Sequence, residues 1–469
     1  MNVFGRSVVL LGLSLVFAVP VPAQTIKDAD DGTTLKQIII YGRHSVRSST
    51  KTPAQLANYA VDAYPDFAVP AGYLTARGRQ AEVLLGSYFH DYLVHEGLLT
   101  DNAQEDSARS YFRAQPIERT NVTAAAFQEG VIPSVTAPLV HSFPLSQYPT
   151  DPVFDPIYGK VVTVDTERAV AEVRGVFNSG DALRTAYGGE YSLIRSVLFG
   201  YPLGTQPPPP APGDKTDVAA LPVTLTASTA LFTGNVIALG GLNDAVAACD
   251  PFVMQYADNF PLEKVGWGRF VLGEDSGRLD TLSQQARLVT LQFSLEMRTP
   301  YLNQLQSSNL ASHVLRTMKQ AVSGKNMRGA FGNAKTRLNV IISSDIYVFG
   351  LAGLLDLHWQ LPNYQPDFCS PGGALVFELR QEKKSKAHFV RVFYTAQTFD
   401  QLRDLKPLTL VNPPATMQLL VPGGSKSSTN LDVPFSAFQK LMKKAIEPKY
   451  AQRNSKEVQP GVLVVDPPR

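Results

Sequence analysis

Two short β-branched runs stand near opposite ends of the 469-residue chain, residues 35–42 (LKQIIIYG) and residues 338–342 (LNVII). Each is apolar without alternation, the pattern of a strand buried on both faces, and each leads into a short polar segment and then a helical pattern. A shared sheet with so much chain between its members requires the intervening residues to form their own packed unit. Within them, LTARGRQAEVLLGSYFHDYLVHEGLL reads as a long amphipathic helix, and SYFRAQPIERTNVTAAAFQEGV reads as strand, turn and helix, placing Arg119 near a helix start. Residues 150–330 are richer in helical pattern and are interrupted by the proline run at residues 205–214, which must be a loop. GGALVFEL and HFVRVFYTAQ supply two further strands, expected to be antiparallel. The expectation is an α/β fold: a mixed sheet flanked by helices, built from residues 24–149 and 331–469, carrying a second, mostly helical domain over residues 150–330.

The amino terminus has a different character. Arg6 precedes the apolar run SVVLLGLSLVFAV, and VPVPA ends in a small residue before Gln24, the order of a secretory signal peptide cut after Ala23. Later apolar stretches are too short to cross a bilayer, so the mature chain is expected to be periplasmic or secreted, with no membrane partner. Its net charge of +2 falls to +1 when Arg6 leaves, and no long basic run points to nucleic acid. Cys249 and Cys369 are the only cysteines, and an oxidising compartment makes one disulfide the favoured reading over two buried thiols. The KKAIEPK cluster reads as a solvated helix face, and His90 and His95, five apart, read as helix-face residues rather than a metal pair. Trp267 reads as packing, and Asn121 in NVT as a sequon that matters only in a glycosylating host.

The polar segments after the two long-range strands carry the chemistry. One is Arg43-His44-Ser45-Val46-Arg47, the other Ser343-Ser344-Asp345. Sites in open α/β sheets lie at the carboxyl ends of strands, so neighbouring strands would bring His44 and Asp345 to one rim. Guanidiniums at 43 and 47 suit an anion and disfavour a protonated imidazole between them, leaving His44 neutral and nucleophilic. A carboxyl group opposite would protonate a departing alkoxide, which a phosphomonoester requires. Together these residues suit phosphoryl transfer to histidine followed by hydrolysis.

RHSVRSSTK resembles the Arg-His-Gly-x-Arg-x-Pro signature of the histidine acid phosphatases, and RAQPIERTNVTAAAFQEGV resembles the segment that supplies that family's further phosphate-binding arginine. SSDIYVFGLAGLLDLHWQLP followed by PGGALVFEL is similar to the segment with the family's His-Asp pair. LEKVGWGRF, EMRTPYL and FDQLRDLKPLTLVNPP resemble the bacterial periplasmic phytase and sugar-phosphatase branch. The resemblance implies His44 as nucleophile, Asp345 as proton donor, and Arg43, Arg47 and Arg119 as phosphate ligands. It further implies substrate contacts at Thr50, Lys51 and Arg298, and no metal or other cofactor.

Three residues depart from the family pattern. Ser45 replaces glycine, which is tolerable only where φ is not positive. Ser49 replaces proline. Ser344 stands where the pair has its histidine and offers one hydroxyl donor without charge, still placed to bond a phosphate oxygen; losing the charged donor is worth about 2–4 kcal/mol of transition-state stabilisation if nothing compensates. The expected function is an exported acid phosphomonoesterase acting on a small-molecule phosphate monoester, phytate in the first place. A sugar-phosphate or broad-specificity phosphatase is the alternative, and a phosphate-binding protein without turnover is the rival from another class. Oligomeric state is left open.

Overall fold

The computed structural model describes residues 31–143, 150–205, 209–228, 236–272, 280–425, 427, 429–451 and 459–460. The leader expected over residues 1–23 lies outside them. In chain order the strands are β1 (Thr33–Arg43), β2 (Ser110–Ala114), β3 (Val140–Ser142), β4 (Thr224–Ala227), β5 (Ile237–Gly240), β6 (Leu338–Ser343), β7 (Ala374–Glu382), β8 (His388–Ala396), β9 (Ala415–Gln418), β10 (Val433–Pro434) and β11 (Gln459–Pro460). The main sheet runs β10-β8-β7-β1-β6-β2-β3-β11, with β9 beside β8, while β4 and β5 form a separate hairpin. Its centre is parallel (β1–β6, β6–β2, β2–β3) and the β7–β8 side antiparallel, so the sheet is mixed.

Burial explains why β1 lacks alternation. Ile38 and Ile40 face Leu85, Phe89 and Phe127 on one side of the sheet, whereas Ile39 and Tyr41 face Val348, Phe349 and Leu351 on the other. Both faces are covered, and each fully buried isoleucine contributes roughly 1.5–3 kcal/mol. Helices Ala76–His95 and Glu118–Val131 cover the first face. They cross without side chains between them: a Cβ on Gly86 would stand 2.4 Å from the Phe127 carbonyl, and one on Gly130 2.1 Å from the Val83 carbonyl. Only glycine permits that approach, and it locks the last turn of the second helix, which begins at Glu118 and Arg119, against the first.

Between β3 and β6 the chain is mostly helical, with Thr166–Phe177, Gly188–Phe199, Leu242–Ala257, Arg287–Met297 and Pro300–Ser323 its longer elements. These helices share one apolar cluster with the second face of the sheet. Of the proline run, residues 206–208 lie outside the described residues; the rest is loop, tied down where the Tyr201 hydroxyl donates to the Pro210 carbonyl at 2.6 Å. Among the described residues no helix is long and apolar enough to cross a membrane.

One expectation is corrected here. Cys249 and Cys369 are separate buried thiols, not a disulfide. Cys249 sits in helix Leu242–Ala257 with its Sγ donating to the Ala245 carbonyl at 2.7 Å, whereas Cys369 lies in the loop before β7 beside Tyr394. Asn121 is no glycan acceptor in the folded chain, because it is buried and its amide donates to the Gln115 and Ile117 carbonyls, each at 2.9 Å. The histidine reading agrees with the structure: His90 bonds the Val131 carbonyl, and His95 ends its helix in an exposed position. Trp267 packs against Tyr64 and Phe252, and its indole N–H donates to the Ala63 carbonyl. Lys443 and Lys444 lie exposed in the last turn of helix Phe435–Ala445.

Candidate functional site

β1 and β6 are immediate parallel neighbours whose last paired residues are Arg43 and Ser343. The next residues, His44 and Ser344, therefore leave the sheet side by side, and the His44 N–H donates to the Ser343 carbonyl at 2.8 Å. β2 lies on the other side of β6 and ends at Ala114, so Gln115 joins the same rim with its N–H on the Ile342 carbonyl at 2.9 Å. The loop before β7 closes the remaining side, where the Gly372 N–H donates to the His44 carbonyl and the Gly373 carbonyl accepts from the Arg43 N–H. Helix Ala76–His95 abuts the motif loop so closely that a Cβ on Gly78 would meet the Val46 carbonyl at 2.1 Å.

His44 is buried, and its Nδ1 lies 2.8 Å from the Ser45 carbonyl. A carbonyl only accepts, so Nδ1 carries the hydrogen and Nε2 keeps its lone pair. Burial, and then the guanidiniums of Arg119, Arg43 and Arg47, hold the imidazole well below its ordinary value, so it is neutral. Ser45 does not adopt positive φ, which removes the objection to its replacing glycine, and its N–H donates to Thr123 Oγ1. Ser49 holds its loop without a proline: its carbonyl accepts from the Gly72 N–H and its hydroxyl from the Lys51 N–H.

The three arginines are each anchored at one edge and unengaged at another. Arg43 donates through Nη1 to the Cys369 carbonyl at 2.5 Å and pairs through Nη2 with Asp345 at 2.9 Å. Arg47 meets Asp250 end-on through both Nη atoms, at 2.9 and 2.8 Å, and also donates to the Ser48 carbonyl. Arg119 reaches the Gly72 carbonyl at 3.3 Å and has no carboxylate partner among the described residues. In all three the Nε–H is buried with no hydrogen-bond partner among the described residues. A buried orphan donor costs about 1–3 kcal/mol, so three around one imidazole describe a site built for an anion. Arg119 adds a second sign. It lies in the first turn of helix Glu118–Val131, where a cation is disfavoured, and burial together with Arg47 brings it down to about 10. Three guanidiniums against two carboxyl groups, Asp250 and Asp345, leave the site net positive for an incoming phosphate.

Asp345 opens helix Asp345–Leu354, with Oδ1 accepting the Ile346 N–H and Oδ2 on Arg43. Ser344 occupies the N-cap position without capping: its hydroxyl donates instead to Gln115 Oε1 at 3.2 Å. Glu82, buried on helix Ala76–His95 against Ser45, is held well above the ordinary carboxyl range by burial and places no charge behind His44.

The structure thus gathers Arg43, His44, Arg47, Arg119, Ser344 and Asp345. Thr50 and Lys51 are exposed farther out, where Lys51 lines a cavity of about 540 Å³ with Ser48, Ser49 and Pro251. Arg298 is not in the cluster. Its guanidinium lies over the Phe349 ring, one turn along the helix from Asp345, and is tied to the Leu357 carbonyl at 2.8 Å and to Asp367 at 3.3 Å. Two residues of the site escaped the sequence reading. Asp250 arrives from the helical insert, and nothing in its local sequence links it to Arg47. Gln115 carried a usable signal, since it follows the carboxyl end of a strand as His44 and Ser344 do.

A model of the histidine phosphatase superfamily (branch 2) matches residues 159–395. Phytase AppA of Escherichia coli (strain K12) is 26% identical over 442 residues, 94% of this chain and 98% of that protein. A glucose-1-phosphatase of Providencia rettgeri is 25% identical over 443 residues, 94% and 99% of the two chains. Among solved structures, Hafnia alvei phytase in complex with myo-inositol hexakis sulphate superposes with a TM-score of 0.77 at 26% identity, covering 90% of this chain and all of that one.

Proposed function

Because this chain belongs to the histidine phosphatase superfamily (branch 2), we propose that it is an exported phosphomonoesterase in which His44 takes the phosphoryl group. The observation that carries this reading is a neutral imidazole with Nε2 unprotonated, within the field of three buried guanidiniums that each keep an Nε–H without a partner among the described residues. The phosphate of a monoester would lie among Arg43, Arg47 and Arg119, which stabilise the equatorial oxygens as charge develops. His44 Nε2 forms the P–N bond while the ester P–O bond breaks, and the departing oxygen takes a proton from Asp345. In the second half a water gives its proton to Asp345 and attacks phosphorus, the P–N bond breaks, and inorganic phosphate leaves with His44 neutral again. Asp250 acts earlier than either step: pairing end-on with Arg47, it turns the Nε edge of that guanidinium toward the anion.

The favoured substrate is phytate. This chain covers nearly the whole length of the two phytases compared above, one of them in complex with an inositol polyanion, and Lys51 adds positive charge at the cavity lined by Ser48 and Ser49. A sugar phosphate is the second reading, supported by the similarity to a glucose-1-phosphatase and by the position of Arg298, whose charge is taken up by Asp367. Phosphate release from phytate, glucose 1-phosphate and an aryl phosphate tests this. Turnover of all three should vanish in His44→Ala and fall by at least about a hundredfold in Asp345→Asn on the aryl and sugar esters. Retained turnover in His44→Ala would refute the mechanism, and a preference for glucose 1-phosphate over phytate would replace the substrate.

A further inference from the structure

The rim residue that the mechanism above leaves without a task is Gln115. Its main chain is fully engaged: the N–H donates to Ile342, and the carbonyl accepts from the Ile117 N–H, the Thr120 hydroxyl at 2.5 Å and the Asn121 amide at 2.9 Å. Its side chain is buried, and Oε1 accepts the Ser344 hydroxyl. A serine hydroxyl has one hydrogen. With that hydrogen on Gln115, Ser344 has none for a phosphate oxygen, and it has also left the N–H groups of helix Asp345–Leu354 without a side-chain cap, although serine is among the residues best suited to cap them. Tyr347 is committed as well, its hydroxyl donating to the buried Asp155 at 2.7 Å, while Asp155 is itself fixed by the Tyr158 N–H at 3.0 Å. The Gln115 side chain is a polar neighbour of the Tyr347 oxygen, and Tyr347 stands within electrostatic range of Arg119. An amide nitrogen carries two hydrogens, and the bond to Ser344 uses neither.

We propose that Gln115, rather than Ser344, supplies the neutral N–H donor to the bound phosphate, and that Ser344 and the Tyr347–Asp155 pair are residues that position it. The proposal rests on the phosphate-site reading given above. It also assigns the unused N-cap a purpose: Ser344 holds the amide oxygen, which leaves the nitrogen as the end of the side chain that is free to meet the anion. The compensation for an absent charged donor is thus an oriented amide, which keeps the same donor across the whole acid and neutral range because it has no proton to lose there.

Inorganic phosphate is the probe, measured by calorimetric titration and as a competitive inhibitor of aryl phosphate turnover. Gln115→Met should weaken phosphate binding roughly ten- to hundredfold, the range for one hydrogen bond to a charged group. Ser344→Ala, which loosens the amide but leaves it present, should lose only about threefold. Gln115→Glu keeps the shape and the Ser344 contact. Its loss should be large at pH 7 and should shrink as the pH falls through the carboxyl range, a dependence that a merely structural role would not produce. Thermal melting checks that each variant is folded, and Gln115→Glu decides the matter should Gln115→Met fail to fold. Wild-type affinity in both Gln115 variants, or a full loss in Ser344→Ala with none in Gln115→Glu, would overturn the proposal. Failure of the wild-type protein to bind phosphate at all would instead overturn the phosphate-site reading beneath it.

Discussion

Glu296 gives the most quantitative prediction. It lies on helix Arg287–Met297, 9% exposed, in contact with a small cavity lined by Ile157, Val236, Ile237 and Leu302. Among the described residues its one side-chain partner is the Gln292 amide at 3.0 Å, and no cation acts on it. Burial therefore raises its carboxyl from 4.5 to about 7. The folded protein then holds a proton that the unfolded chain releases above pH 4.5, so stability is complete below that value and declines as the pH rises toward 7. At 1.36 kcal/mol per unit the loss is about 3 kcal/mol, and it is flat beyond pH 7. Glu296→Gln keeps a hydrogen-bonding group and removes the titration. Urea unfolding of both proteins should show nearly equal stability at pH 4.5, with the variant more stable by about 3 kcal/mol at pH 7.5. A wild-type–variant difference that does not change between the two pH values would refute the argument.

Two further outcomes follow from the site. Asp250→Ala strands a buried guanidinium at Arg47, so the free protein should lose about 3–5 kcal/mol, and saturating phosphate should restore more stability to the variant than to the wild type; equal phosphate-induced shifts in melting temperature would argue against Arg47 as a ligand. EDTA should leave aryl phosphate turnover unchanged, because the guanidiniums already supply the charge stabilisation that a metal would bring; loss of activity restored by a divalent ion would contradict this.

Much of the fold was legible because β1 and β6 are buried on both faces, and such strands write continuous apolar runs into the sequence. The adjacency of His44 and Asp345 followed from the rule that sites form at strand ends, and the Arg43–Ser343 register bears it out. The partner of Arg47 was not legible: Asp250 is about 200 residues away, and an ion pair across two packed elements leaves no periodic trace. Ser344 was misleading in a different way. Its type suggests either a helix cap or a phosphate donor, and only the position of Gln115 shows that its hydrogen goes elsewhere. The cysteines illustrate the same limit, since compartment argues for pairing while packing alone decides whether two thiols meet.

The most direct test of the account is to catch the intermediate. Asp345→Asn should retain His44 as nucleophile but hydrolyse the P–N bond slowly, so an activated aryl phosphate added to it and quenched into alkali should leave one phosphoryl group on the protein. Peptide mass analysis should place that group on His44 and find none in the His44→Ala, Asp345→Asn double variant. A phosphoryl group on any other residue, or turnover of the aryl ester with none trapped under these conditions, would contradict the assignment of His44.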